Sequence, residues 1–151
     1  MQISSRFTIA IHILACIDYF QDSCSVTSEF LAGSIQVNPV IIRQILLKLK
    51  SAGFVRVSRG RTGNITLAKE LSQITFYDVY QAVECVSAKD EAGTKAKLFR
   101  FHERPNPQCP VGKNIHAALD SKLDYIQRSM EDELRKITVE QVSQEIKNLN
   151  N

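Results

Sequence analysis

The chain has 151 residues, of which 44% are hydrophobic and 23% charged, the proportions of an ordinary globular domain rather than of a disordered or fibrous chain. Its net charge is only +3, and no apolar run approaches the ~20 residues needed to span a bilayer. The amino-terminal MQISSRFTIAIHILACIDYF lacks a small-residue cleavage site, so a cytoplasmic protein without a membrane partner is expected.

A first helix is predicted over about residues 5–20, with Ile9, Ile13, Leu14 and Ile17 in an apolar stripe at helical spacing. QDSCS ends it. Thr27 then caps a short helix, SEFLAGSI, with Val26 and Leu31 placed as a hydrophobic staple. Asn38 is a good N-cap for a third helix, PVIIRQILLKLKSA, and Pro39 sits at the first helical position, where its missing N–H does no harm. That helix buries Ile42, Ile45, Leu46 and Leu49 and ends where Gly53 can turn left-handed. Val40, Arg43, Gln44, Leu47 and Lys48 remain on its other side.

The next stretch, VSRGRTGNITL, alternates apolar and polar residues in two arms, Val55 to Ser58 and Ile65 to Leu67. Gly60 and Gly63 allow a short reversal, so the arms read as an antiparallel ribbon with Arg59 and Arg61 at its tip. Thr75 and Asp78 open a fourth helix, TFYDVYQAVE, followed by a polar, irregular stretch over 87–108 that reads as a mobile loop. A long helix is predicted over about 110–137, with Ile115, Leu119, Leu123, Ile126, Met130, Leu134 and Ile137 in one stripe. At 1.5 Å per residue it spans roughly 40 Å, more than a small domain needs to cover itself, and is expected to pack on a second copy of the chain. Thr138 and Gln141 have capping-box spacing, which starts a last helix, VEQVSQEIKN.

Two helices joined by a short turn and followed by a cationic hairpin are the layout of a winged helix-turn-helix. The fold class is therefore read as mainly α with a small β-hairpin: a winged helix-turn-helix over 1–86, then a sensing loop and dimerisation helices over 87–151. The charge is distributed to match. Residues 30–69 hold seven Lys or Arg and no Asp or Glu, whereas 1–29 and 70–151 each sum to −2, a segregation expected of a polyanion-binding surface.

A helix fits the major groove, where Arg43 can bond guanine, Gln44 adenine, and Val40 a thymine methyl. Lys48 and Lys50 suit phosphates, and Arg59 and Arg61 suit the minor groove or the backbone beside it. Asn38 and Pro39 at the start of the reading helix (39–52), Thr62 in the wing (58–64), and Ser5 and Arg6 at the start of the first helix complete the candidate DNA contacts.

The four cysteines show no CxxC spacing. Cys16 lies near the core stripe and reads as a small buried apolar residue, and Cys85 likewise. Cys109 differs because Pro110 follows it, which puts its sulfur at the positive end of the long helix, where thiolate is favoured. It is the candidate redox sensor; a plain helix-starting residue is the alternative. His102, Cys109 and His116 have the spacing of no compact metal site and form no nucleophile–base–orienter set, and no glycine-rich phosphate loop exists. No enzyme is expected.

The opening MQISSRFTIAIHILA, the stretch VNPVIIRQILLKLKSAGFVRVSRGRTGNITLAK, the following ITFYDVYQAVE and the later NPQCPVGKNIHAALD together resemble the Rrf-two family of bacterial transcriptional regulators. The resemblance covers nearly the whole chain. It implies a homodimeric winged-helix protein that docks on a palindromic double-stranded DNA operator, dimerises through the long helix and usually represses. Cluster-binding members carry three closely spaced cysteines before that helix. Here FRFHERPNPQCPVGKN holds only Cys109, and Gly112 stands where the iron-sulfur regulator has a histidine ligand, so no iron-sulfur cluster is expected. A small-ligand-responsive regulator, using a pocket beside the 87–108 loop, and a dimeric protein-interaction module that has lost sensing are the competing readings.

Overall fold

Ser4 starts the first helix: its hydroxyl accepts the Arg6 N–H, and α1 runs Ser5–Phe20. The computed structural model describes residues 3–60, 63–85 and 97–151. Where a single apolar stripe was expected, α1 buries Ile9, Ala10, Ile11, Ile13, Leu14, Ala15, Cys16 and Ile17. The reason is tertiary, since other helices and the hairpin pack against α1 from different sides. His12 is the one exposed residue in that stretch.

Helix α2 (Ser28–Ile35) is capped by Thr27, whose hydroxyl accepts the Phe30 N–H at 3.1 Å, and Val26 and Leu31 are both fully buried beside that cap. Asn38 caps α3 (Pro39–Ser51) in the same way, its Oδ1 accepting the Val40 N–H at 2.9 Å. The chain bends by 115° between the two helices, the geometry of a helix-turn-helix. Gln36 makes the turn with φ +58°, a left-handed conformation that costs an L-residue roughly 1–2 kcal/mol. Ile42, Ile45, Leu46 and Leu49 anchor α3 in the core, and Gly53, at φ +80°, ends it.

Strands β1 (Val55–Val57) and β2 (Ile65–Leu67) pair antiparallel with Val57 opposite Ile65. The hairpin is fixed to the helices by Val26, whose N–H donates to Asn64 Oδ1 at 3.1 Å and whose carbonyl accepts the Ile65 N–H at 2.8 Å. Such anchoring is what a two-stranded ribbon requires in water.

The predicted fourth helix is divided. Helix α4 (Phe76–Tyr80) has its capping box between Thr75 and Asp78, but Gln81–Cys85 form a π turn. Helix α5 (Pro110–Arg135) stops two residues short of the expected end, because Thr138 caps α6 (Val139–Leu149) through its own box with Gln141. A bridge joins Thr75 to Thr138, with the Phe76 N–H on the Ile137 carbonyl at 2.8 Å and the Val139 N–H on the Ile74 carbonyl at 2.9 Å. These bonds lay α6 against α1, where Asp18 accepts from the Ser143 hydroxyl and from Lys147 Nζ. The residues after α5 thus return to the core built by those before it.

Helix α5 is different. Of its residues only Glu131 is buried, and Ile115, Leu119, Leu123, Met130 and Leu134 are half-buried while Ile126 is exposed. Residues 97–108, inside the expected mobile loop, lie along it: Lys97 pairs with Asp120 at 2.9 Å and the Leu98 N–H donates to Gln127 Oε1 at 2.9 Å. The rest of that loop, up to residue 96, lies outside the described residues. No single helix among the described residues is long and apolar enough to cross a membrane.

Candidate nucleic-acid interface

Because four apolar residues pin one side of α3 inward, Val40, Arg43, Gln44 and Leu47 face outward together. Val40 is 52% and Leu47 65% exposed. Leu47 is not among the DNA contacts expected from the sequence, although its place seven residues after Val40 and four after Arg43 puts it on the same side. Lys50 is exposed one turn further on.

Arg43 and Lys50 line a groove of about 430 Å³ between α3 and the wing, with Leu47 on the same wall and Val57 and Gly63 opposite. Arg59 is exposed at the hairpin tip. Arg61 and Thr62 lie outside the described residues. At the start of α1, Arg6 Nη2 donates to Gln44 Oε1 at 3.5 Å, which brings Arg6 and the neighbouring Ser5 beside the outward side of α3.

Glu29, one residue before the acid-free segment, pairs with Arg43 at 2.8 Å across the turn. Its carboxyl is held below the usual range, first by its own backbone N–H in the opening turn of α2 and then by the Arg43 guanidinium. Sequence reasoning missed this partner, because the two residues lie on different helices.

Lys48 is half-buried and its Nζ donates to the Val83 carbonyl at 3.1 Å, tying α3 to the π turn instead of facing the groove. The acceptor belongs to the last turn of this segment, where helix carbonyls lack an intrahelical partner.

Cys109 stands at the N-cap of α5. The N–H groups of Gly112 and then Val111 hold its thiol below the ordinary range. The loop before it turns on Asn106, whose Oδ1 accepts the Gln108 N–H and whose carbonyl accepts the Cys109 N–H. A Cβ on Gly112 would stand 2.5 Å from that same carbonyl. Nearby, Phe101 stacks on the His116 ring at 4.7 Å, and His116 Nε2 donates to the His102 carbonyl at 2.8 Å.

The chain matches known proteins over most of its length. The Rrf2 family profile, described as an iron-dependent transcriptional regulator, matches residues 3–145. The chain is similar to YwnA of Bacillus subtilis strain 168, which carries the name of an HTH-type transcriptional regulator: 40% identity over 132 residues, 87% of this chain and 90% of YwnA. A crystal structure described as that of a DNA-binding protein shares 34% identity at a TM-score of 0.68, over 91% of this chain and 98% of that one. A regulator structure from Lactobacillus plantarum, 24% identical, matches the fold at a TM-score of 0.76 over 96% of this chain and 91% of its own.

The iron in that description was tested against the donors present. Among the described residues no three His, Cys, Asp or Glu side chains gather to hold a metal ion. Cys109 is the single thiol in the loop before α5, His116 is engaged with the His102 carbonyl, and Gly112 has no room for a ligating side chain. This donor set does not fit an iron-sulfur cluster.

Proposed function

The chain belongs to the Rrf2 family of transcriptional regulators, DNA-binding proteins and not enzymes, and from that premise we propose that it is a homodimeric repressor of a palindromic operator. The observation that carries this reading is the shared groove of α3 and the wing, in which Arg43 and Lys50 face the hairpin whose tip bears Arg59. In it, α3 enters the major groove behind Asn38 and Pro39. Val40, Arg43 and Gln44 reach base edges, and Lys50, Ser5 and Arg6 hold phosphates. The wing, with Arg59, Arg61 and Thr62, straddles the adjacent backbone or minor groove.

The stripe of α5 supports dimerisation: among the described residues Ile115, Leu119, Leu123, Met130 and Leu134 are only half-buried and Ile126 is exposed. A two-fold axis through α5 sets two α3 helices on two half-sites. Cys109, with its lowered thiol pKa at a helix start, is the redox-responsive group of this reading.

The test is a fluorescence-anisotropy titration, reduced and peroxide-treated, against DNA from upstream of the protein's own gene. Tight binding whose affinity falls steeply with salt is expected, because several phosphates are neutralised. Absence of a tight complex in either state overturns the repressor reading.

A further inference from the structure

Outside the groove and the Cys109 loop, one more set of reactive side chains is brought together. His12 and Cys16 lie one turn apart on α1, and Ser34, from the last turn of α2, reaches between them. Its hydroxyl is 3.1 Å from His12 Nε2 and 3.3 Å from Cys16 Sγ. A single hydroxyl can accept from the thiol while it donates to the imidazole, so the three form a nucleophile, a relay and a base within hydrogen-bond reach. All three line one cavity of about 280 Å³ whose other walls are Tyr19, Phe20 and Ile146, with Asn150 at its edge.

The geometry points to Cys16 as a site of covalent modification by small apolar electrophiles of the α,β-unsaturated carbonyl class, with Ser34 and His12 carrying its proton. The aromatic and aliphatic walls select an apolar reagent. Cys16 is only 7% exposed and lines this cavity, so small polar reagents in bulk water meet Cys24 first. In the reaction the thiol proton passes to Ser34 Oγ as the serine proton passes to His12 Nε2. The sulfur pair forms the bond to the β-carbon, and the π pair of the C=C bond moves onto the carbonyl. The resulting enolate takes a proton back from the imidazolium. The net change is addition of S and H across one double bond, with no oxidant or reductant. Ser34 stands four residues before Asn38, so the adduct lies beside the turn that sets α3.

The test uses the full-length reduced protein, N-phenylmaleimide below one equivalent, and peptide mass spectrometry. The expected result is adduct on Cys16 ahead of Cys24 and Cys109, whereas iodoacetamide takes those two first. Ser34→Ala should slow Cys16 labelling at least about tenfold, the low side of what a positioned base supplies, and leave the Cys24 rate unchanged. His12→Gln should do the same. If Cys16 reacts only after denaturation, or reacts at the wild-type rate in Ser34→Ala, the proposal is overturned. Cys16→Ser removes the adduct as a control, and the serine and histidine variants decide the question if that buried substitution unfolds the chain. The mass readout needs no DNA, so failure here is distinguishable from failure of the repressor reading.

Discussion

The Arg43 guanidinium and the Glu29 carboxylate meet at 2.8 Å across the turn of the helix-turn-helix, joining a base-reading candidate to the last acid before a basic segment. Both side chains are more than half exposed, so the contact orients Arg43 more than it stabilises the fold. Removing the charge should loosen that orientation and remove a repulsion toward phosphate. Glu29→Gln is therefore expected to raise affinity for random DNA a few-fold while narrowing the gap to the specific site. Parallel titrations on operator and scrambled DNA check it; an unchanged gap counts against the orienting role. The lowered Glu29 pKa means the pair persists at neutral pH and is lost only as pH falls below the ordinary carboxylate range, which a carboxyl NMR titration reads directly.

Arg43 and Lys50 share a groove but should differ in kind. Arg43→Ala is expected to cost roughly 1–3 kcal/mol on the operator and to relax preference at one base pair. Lys50→Ala should weaken operator and random DNA alike and lower the salt slope by about 1. Lys48→Met, whose amine is engaged with Val83, should leave that slope unchanged.

At Cys109 the N–H groups of Gly112 and Val111 favour the thiolate. The sign follows from linkage: a depressed pKa keeps the group charged at lower pH, and the preference disappears as pH falls through the shifted value. Alkylation of Cys109 should thus show a pH midpoint below that of an unperturbed thiol, whereas in Pro110→Gly, which loosens the helix start, the midpoint should rise. Site-resolved iodoacetamide rates across pH supply the measurement. A Cys109→Ser protein that keeps a full oxidant response would remove Cys109 from the regulatory reading.

Gly112 has the Asn106 carbonyl where a side chain would begin, at 2.5 Å. Gly112→Ala should push the loop off α5 and destabilise the protein by roughly 1–3 kcal/mol, read as a lower Tm. Gly33→Ala, where no atom lies within 4 Å of an added Cβ and the residue is helical, should hold or raise Tm.

Ile126 is 49% exposed in the middle of α5. Ile126→Glu should leave the monomer folded and weaken self-association at least about tenfold, as loss of a central apolar anchor does. Light scattering across a dilution series checks this, and an unchanged mass would move the dimer contact off α5.

Much of this protein could be read in its sequence. Thr27, Asn38, Thr75 and Thr138 all cap helices, Gly53 ends α3, and the hairpin arms pair as their alternation predicts. The acid-free segment marked the surface that carries α3 and the wing. These features are legible because a cap bonds three residues away and an amphipathic period repeats within a turn or two, so the physics is local.

What only the tertiary structure decided lies between residues far apart in the chain. Lys48 turned to Val83, α1 became buried on several sides over residues 9–17, and α4 gave way to a π turn, because packing partners outweigh periodicity where several elements converge. Glu29 meeting Arg43, and Ser34 joining Cys16 to His12, depend on where α2 lies against its neighbours. Sequence fixes which side chains are available for such contacts; only the folded backbone brings them within 3 Å or so of one another, where hydrogen bonds and charges act.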